Sequence, residues 1–99
     1  MSNTAPSKFA LGQLTATINI ATRMEADHEF HAFVIRSLMR FASCDWGVIP
    51  ESDKQQNSIA LLFNERLMGA YIYEPDKTKI WIITEADRSC TTVLYPEDY

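Results

Sequence analysis

A chain of 99 residues can bury one hydrophobic core but not two, so a single domain is expected. Its apolar fraction of 46%, with 11% aromatic, belongs to a globular protein rather than a disordered one. A net charge of −4 argues against sequence-independent binding to nucleic acid, which needs a basic surface to neutralise phosphate. No apolar run approaches the roughly 20 residues that span a bilayer, and the opening MSNTAPSKF lacks the charged-then-apolar design of a secretory signal. The expectation is a cytoplasmic protein without a membrane or direct nucleic-acid partner.

Residues 1–8 are polar and contain Pro6, which predicts a frayed lead-in to a domain spanning 9–99. From Phe9 to Ile20, Leu14, Ala16 and Ile18 alternate with Thr15, Thr17 and Asn19, the pattern of a strand with one wet face. Gly12 within it suggests a bulge or a close approach of backbone. The spacing predicts a helix over 27–42, with Asp27 as N-cap and Phe30, Phe33, Val34, Leu38 and Phe41 along one face, widened by Ile35 and Met39. A loop follows in which Trp46 is read as a buried indole and Gly47 as a tight change of direction. Ser52 and Gln55 then fit a capping box, predicting a helix to about Asn64 with Ile59, Leu62 and Phe63 inward and Gln55, Gln56 and Asn57 outward.

Leu67 to Tyr73 reads as a strand, Glu74-Pro75-Asp76-Lys77 as a turn, and Lys79 to Thr84 as a buried central strand containing the run Ile80-Trp81-Ile82-Ile83. Thr91 to Tyr95 restores strand character after a polar turn. The expected fold is α+β, in the order β-α-α-β-β-β, with a four-stranded, mainly antiparallel sheet and two helices packed on one face.

Chemistry concentrates in that last turn. Glu85, Asp87, Arg88 and Ser89, with Thr91 nearby, form the densest polar group flanked by core strands. Two readings of it compete. As a functional site, the carboxylates form an acid/base or metal-binding pair and Arg88 holds an anion. As a structural turn, Asp87 accepts backbone N–H groups while Arg88 pairs with Glu85 or Asp45. Glu25, His28 and His31 share a helical face but lack further ligands for a metal. Cys44 and Cys90 have no CxxC spacing and read as free buried thiols, a disulfide requiring that the fold bring them together. No cofactor and no metal is expected. Charge adds one asymmetry: residues 1–50 hold four acidic and four basic side chains, residues 51–99 nine and five, so the whole acidic excess lies in the second half.

Four strings taken together resemble a known family: Phe9 to Thr17, the segment Phe30 to Arg40 leading into Asp45-Trp46-Gly47, Glu51 to Asn57, and KIWIITEADRSCTTVLYPEDY. They are similar to short bacterial proteins carried on plasmids, phages and integrative elements, labelled plasmid-related proteins or type I restriction endonuclease subunit M. The resemblance covers nearly all of the chain beyond residue 8; it departs from the family at Ile18 to Met24, where a glycine-containing turn would be expected. The methyltransferase label does not fit the residues, because three glycines, no Pro-Pro and so short a chain leave no room for a cofactor-binding Rossmann-like domain. What the resemblance implies is a mobile-element setting. The expected function is therefore a non-enzymatic binding protein, an inhibitor of a host defence system of the anti-CRISPR or anti-restriction type. Its candidate contact residues are Glu85, Asp87, Arg88, Ser89, Thr91, Asp45 and Trp46, meeting a basic surface on a host or rival-element protein. The alternatives are a small metal-dependent hydrolase or nuclease using Glu85, Asp87 and a histidine, and a homodimer built by pairing an exposed sheet edge.

Overall fold

The computed structural model describes residues 7–99. Chain order is β1 (Gln13–Ala16), α1 (Ile18–Ala26), α2 (His28–Ala42), α3 (Glu51–Phe63), β2 (Leu67–Tyr73), β3 (Thr78–Thr84) and β4 (Cys90–Leu94), closed by a 3₁₀ turn over Pro96–Asp98. The strands form one sheet in the order β1-β4-β3-β2. The β2-β3-β4 meander is antiparallel as expected, but β1 lies parallel to β4, with Thr15 opposite Thr92, so the sheet is mixed. The fold class is α+β, with three α-helices among the described residues rather than two.

The extra helix takes the last three residues of the expected first strand and runs on to Ala26, while the strand itself is confined to Gln13–Ala16. Thr17 N–H still bonds the Val93 carbonyl, completing the ladder, and from Ile18 the chain turns helical. Two contacts from the far end of the chain fix the break. The Asp98 carboxylate accepts from the Thr17 hydroxyl at 2.8 Å and from the Asn19 amide at 2.9 Å. Alternation in Leu14 to Asn19 could not reveal this, because the partner lies about eighty residues away. Once helical, α1 buries Ile20 and leaves Ile18 in solvent.

One face of the sheet carries Leu67, Tyr71, Tyr73, Ile80, Ile82, Thr84, Thr91 and Val93, all buried. Helix α2 packs on it. Asp27 caps α2 by accepting from the N–H groups of Glu29 and Phe30, and Phe30, Phe33, Val34 and Phe41 point inward as their spacing predicts. Phe30 and Phe33 meet Tyr73, and Phe41 meets Trp46 edge-on. Ile35 and Met39, expected to widen this apolar face, are instead exposed. On the opposite sheet face Tyr99 stands edge-on against Trp81, with the Arg66 guanidinium over its ring.

Helix α3 departs from expectation in its rotation. The Ser52/Gln55 capping box does not form; Pro50 is the N-cap and no side chain caps it. Asn57, expected outward, is buried, and its amide donates to the Met68 carbonyl and accepts from the Met68 N–H. Met68 faces out of edge strand β2, so an amide that both donates and accepts satisfies both groups at once. That requirement orients the helix. Ala60 turns inward beside it, and Ile59, Leu62 and Phe63, expected in the core, are left 45%, 78% and 70% exposed.

The next outward rung of β2 is closed as well. Ala70 N–H donates to the Trp46 carbonyl and Val48 N–H to the Ala70 carbonyl, so Gly47 lies against the strand. This edge is thus covered at Met68 and Ala70 by the chain itself, the usual protection against strand addition. The lead-in expected over residues 1–8 falls largely outside the described residues; Lys8 N–H bonds the Ala42 carbonyl.

The β2-β3 turn is pinned by Asp76, whose carboxylate accepts from the Thr78 hydroxyl and N–H and from Arg23 at 2.7 Å. The Thr78 hydroxyl, then Arg23, hold the Asp76 carboxyl down at about 2. A depressed folded value means that its contribution to stability is present above an unfolded pKa of about 4 and is lost as pH falls toward 2. Asp76→Asn should therefore flatten the acid limb of stability over that window, read as urea midpoints at a series of pH values. An unchanged acid limb would contradict it.

Candidate functional site

The turn between β3 and β4 is closed by Arg88 N–H to the Glu85 carbonyl and by Glu85 N–H to the Cys90 carbonyl. Arg88 sits in the left-handed region at φ 60°, as the residue after a tight hairpin turn commonly does. Asp87 accepts from Ser89 N–H at 2.9 Å. Ser89, through its side chain and its backbone, holds the Asp87 carboxyl below the usual carboxylate range. These are the bonds expected of a structural turn.

Arg88 behaves differently from either expectation. It pairs with neither Glu85 nor Asp45. Its Nη1 donates to the carbonyls of Glu65 at 2.7 Å, Glu85 at 3.1 Å and Ala86 at 3.3 Å, and its Nη2 to that of Ala60 at 3.2 Å. Its planar fork of donors converges on carbonyls at and just beyond the end of α3, where that of Ala60 also accepts from Glu65 N–H at 3.0 Å. The guanidinium thereby clamps the acidic turn to the last turn of α3. Arg88→Ala should cost about 1–2 kcal/mol, since charge-assisted bonds are lost at a half-exposed site, whereas Glu85→Gln should change stability by less than about 0.5 kcal/mol. Equal effects in a urea titration would contradict this division of roles.

Thr91 is buried and part of the core. Its hydroxyl donates to the Leu11 carbonyl at 2.6 Å and lies 2.6 Å from that of Thr84. It is therefore a structural residue rather than a surface contact. Beside it, Gly12 lies so close to the turn that a side chain would meet the carbonyls of Arg88 and Ser89 at 2.4 Å, which accounts for a glycine there.

Asp45 and Trp46 belong to another corner. Asp45 takes two bonds from Arg40, which holds its carboxyl below the usual range, and its carbonyl accepts from the buried Tyr71 hydroxyl at 2.7 Å. Burial, with the Asp45 charge nearby, raises the Tyr71 phenol. Trp46 is buried against Phe9 and Phe41. Among the described residues, no hydrogen bond or ion pair links Asp45 or Trp46 to the turn at 85–89. The structure therefore divides the sequence-derived site in two.

No family model, curated protein or solved structure matches the chain. What the site can do rests on its own residues. His28 and His31 are exposed in the first turn of α2, and no group of three or more ligating side chains clusters among the described residues. Cys44 and Cys90 are free, and burial raises the Cys44 thiol. No described helix is long and apolar enough to cross a membrane. An open groove of about 490 Å³ runs between α2 and the β2-β3 turn, lined by Phe33, Arg36, Ile72 and Tyr73 among others.

The strongest surface feature is one the sequence reading put in the core, the exposed side of α3. The run IALLF from Ile59 to Phe63 is apolar all round the helix. Its spacing therefore could not say which side faces in. Asn57, two residues earlier, is the residue whose burial turns these side chains outward.

Proposed function

We propose that this chain is a small non-enzymatic binding protein of a mobile genetic element, inhibiting a host defence system by protein-protein contact. The observation that carries the reading is how the polar turn spends its groups. Arg88 is used on backbone carbonyls and Asp87 on Ser89, an arrangement suited to holding a turn rigid rather than moving protons. Glu65, Glu85 and Asp87 meanwhile form no salt bridge among the described residues. A rigid turn presenting unpaired carboxylates suits recognition of a basic protein surface, where complementary charge speeds encounter and selects partners. The mobile-element setting and the inhibitory role rest on the family resemblance of the sequence.

The experiment is affinity capture from the bacterial host with elution in salt steps, run in parallel with Glu85→Gln/Asp87→Asn. The expected result is a basic partner released early by salt and poorly retained by the double variant. A partner held equally by both proteins would overturn the assignment of this surface, and turnover of a substrate that fails in Asp87→Asn would overturn the non-enzymatic reading.

A further inference from the structure

We infer that the outer edge of β1 pairs with the same edge of a second copy of this chain, antiparallel and centred on Thr15, so that two four-stranded sheets join into one. This contact does not depend on what the acidic turn binds.

The two edges of the sheet are finished differently. At β2, the Asn57 amide closes Met68, and the Trp46 carbonyl and Val48 N–H close Ala70. At β1, Gln13 and Thr17 direct their N–H groups to the Ser89 and Val93 carbonyls, so strand alternation turns the N–H and carbonyl groups of Leu14 and Ala16 the other way. None of these outward groups has a hydrogen-bond partner among the described residues. All of β1 is exposed, Leu14 at 55%. Natural edges left open usually carry a charge, a proline or a bulge that refuses a further strand. Here neither a charged residue nor a proline occurs from Phe9 to Thr22, and the ladder to β4 is unbroken from Gln13 to Ala16.

Open donors and acceptors spaced two residues apart fit an extended backbone, and a second copy supplies one in a self-consistent register. With Thr15 opposite its counterpart, Leu14 of each chain faces Ala16 of the other, and every open group pairs at once. Shifting the ladder in either direction brings in Gly12, at φ 65°, or Ile18, which is helical. A strand of an unrelated protein would have to be chosen by side chains, and Gln13, Leu14, Thr15 and Ala16 include no charged or aromatic group to choose it. Charge permits the symmetric pair, because the acidic excess lies in residues 51–99 and the paired edges are neutral. The bond from Gln13 to Ser89 holds the acidic turn beside the start of β1, and antiparallel pairing sets Gln13 of one copy opposite Thr17 of the other. The two turns are thus offset along the ribbon by about 13 Å, beyond the screening length of about 8 Å at physiological salt.

Sedimentation velocity of the full chain over about a hundredfold range of concentration should show a reversible dimer, weak because the ribbon is short. Thr15→Lys sets two lysines face to face and should raise the dissociation constant by about fivefold. Thr15→Glu should do the same, and an equimolar mixture of the two variants should form a mixed dimer tighter than either alone. Leu14→Lys/Ala16→Lys, which leaves the Thr15 contact to Thr92 in place, should abolish the dimer. The replaced side chains are exposed, so urea midpoints at low concentration should match wild type. A monomeric wild type, a dimer that the lysine variants leave intact, or a mixture no tighter than its components would each overturn the pairing. A wild type that stays monomeric yet captures a host protein, with capture lost in Leu14→Lys/Ala16→Lys, would overturn it by giving the edge to a foreign strand.

Discussion

Gly47→Ala should destabilise the fold by roughly 3–4 kcal/mol, measured as a shift in urea midpoint at constant slope. Gly47 sits at φ 78°, and an added Cβ would lie 1.9 Å from the Ala70 carbonyl oxygen. The obstacle is backbone of β2 and cannot rotate away. A left-handed alanine costs about 1–2 kcal/mol. Relieving the clash separates the loop from β2, breaking the bonds from Ala70 N–H to the Trp46 carbonyl and from Val48 N–H to the Ala70 carbonyl, each worth about 1 kcal/mol. Trp46, packed on Phe41 and Phe9, would lose its anchor with them. A loss below about 1 kcal/mol would mean that the loop adapts without leaving the strand.

The second large effect is asymmetric and concerns two buried hydroxyls. Thr91 has one proton to give, and it goes to the Leu11 carbonyl at 2.6 Å; the contact to Thr84 must then be donated by Thr84. Thr91→Val keeps the shape but strands the Thr84 proton and the Leu11 oxygen together, for an expected cost of about 2–4 kcal/mol. Thr84→Val removes only an incoming donor and leaves the bond to Leu11 intact, so it should cost less than about 1 kcal/mol. The double variant should be more stable than Thr91→Val alone, because the stranded hydroxyl is gone and only the Leu11 carbonyl lacks its partner. Equal single costs, or simple additivity, would reverse the assigned direction of the bond.

These predictions divide what local patterning conveys from what it does not. Helix α2 was legible because Phe30, Phe33, Val34 and Phe41 repeat at the helical period behind a carboxylate cap, all within fifteen residues. The β2-β3 hairpin and its neighbour β4 were legible for a similar reason, since unbroken β-branched and aromatic runs flank Pro-Asp and Asp-Arg-Ser turns. In the candidate site, the backbone bond to Asp87 was also local, reaching two residues along the chain.

By itself, then, the sequence determined the α+β class, the longest helix, the antiparallel meander and the acidic excess of the second half. Tertiary structure decided the rest, wherever one residue had to answer to a partner distant along the chain. Asp98 ended the first strand, Val93 received it in parallel, Asn57 turned α3 about its axis, and Arg88 bound the acidic turn to that helix rather than to a carboxylate. The common physical cause is polar pairing between distant parts of the chain, of side chains at Asp98 and of backbone groups at Val93, Met68 and the α3 end. Periodicity records which side chains are apolar, but the open N–H and carbonyl groups of a sheet edge exist only once the strands are assembled, and those of Met68 chose which face of α3 turned inward.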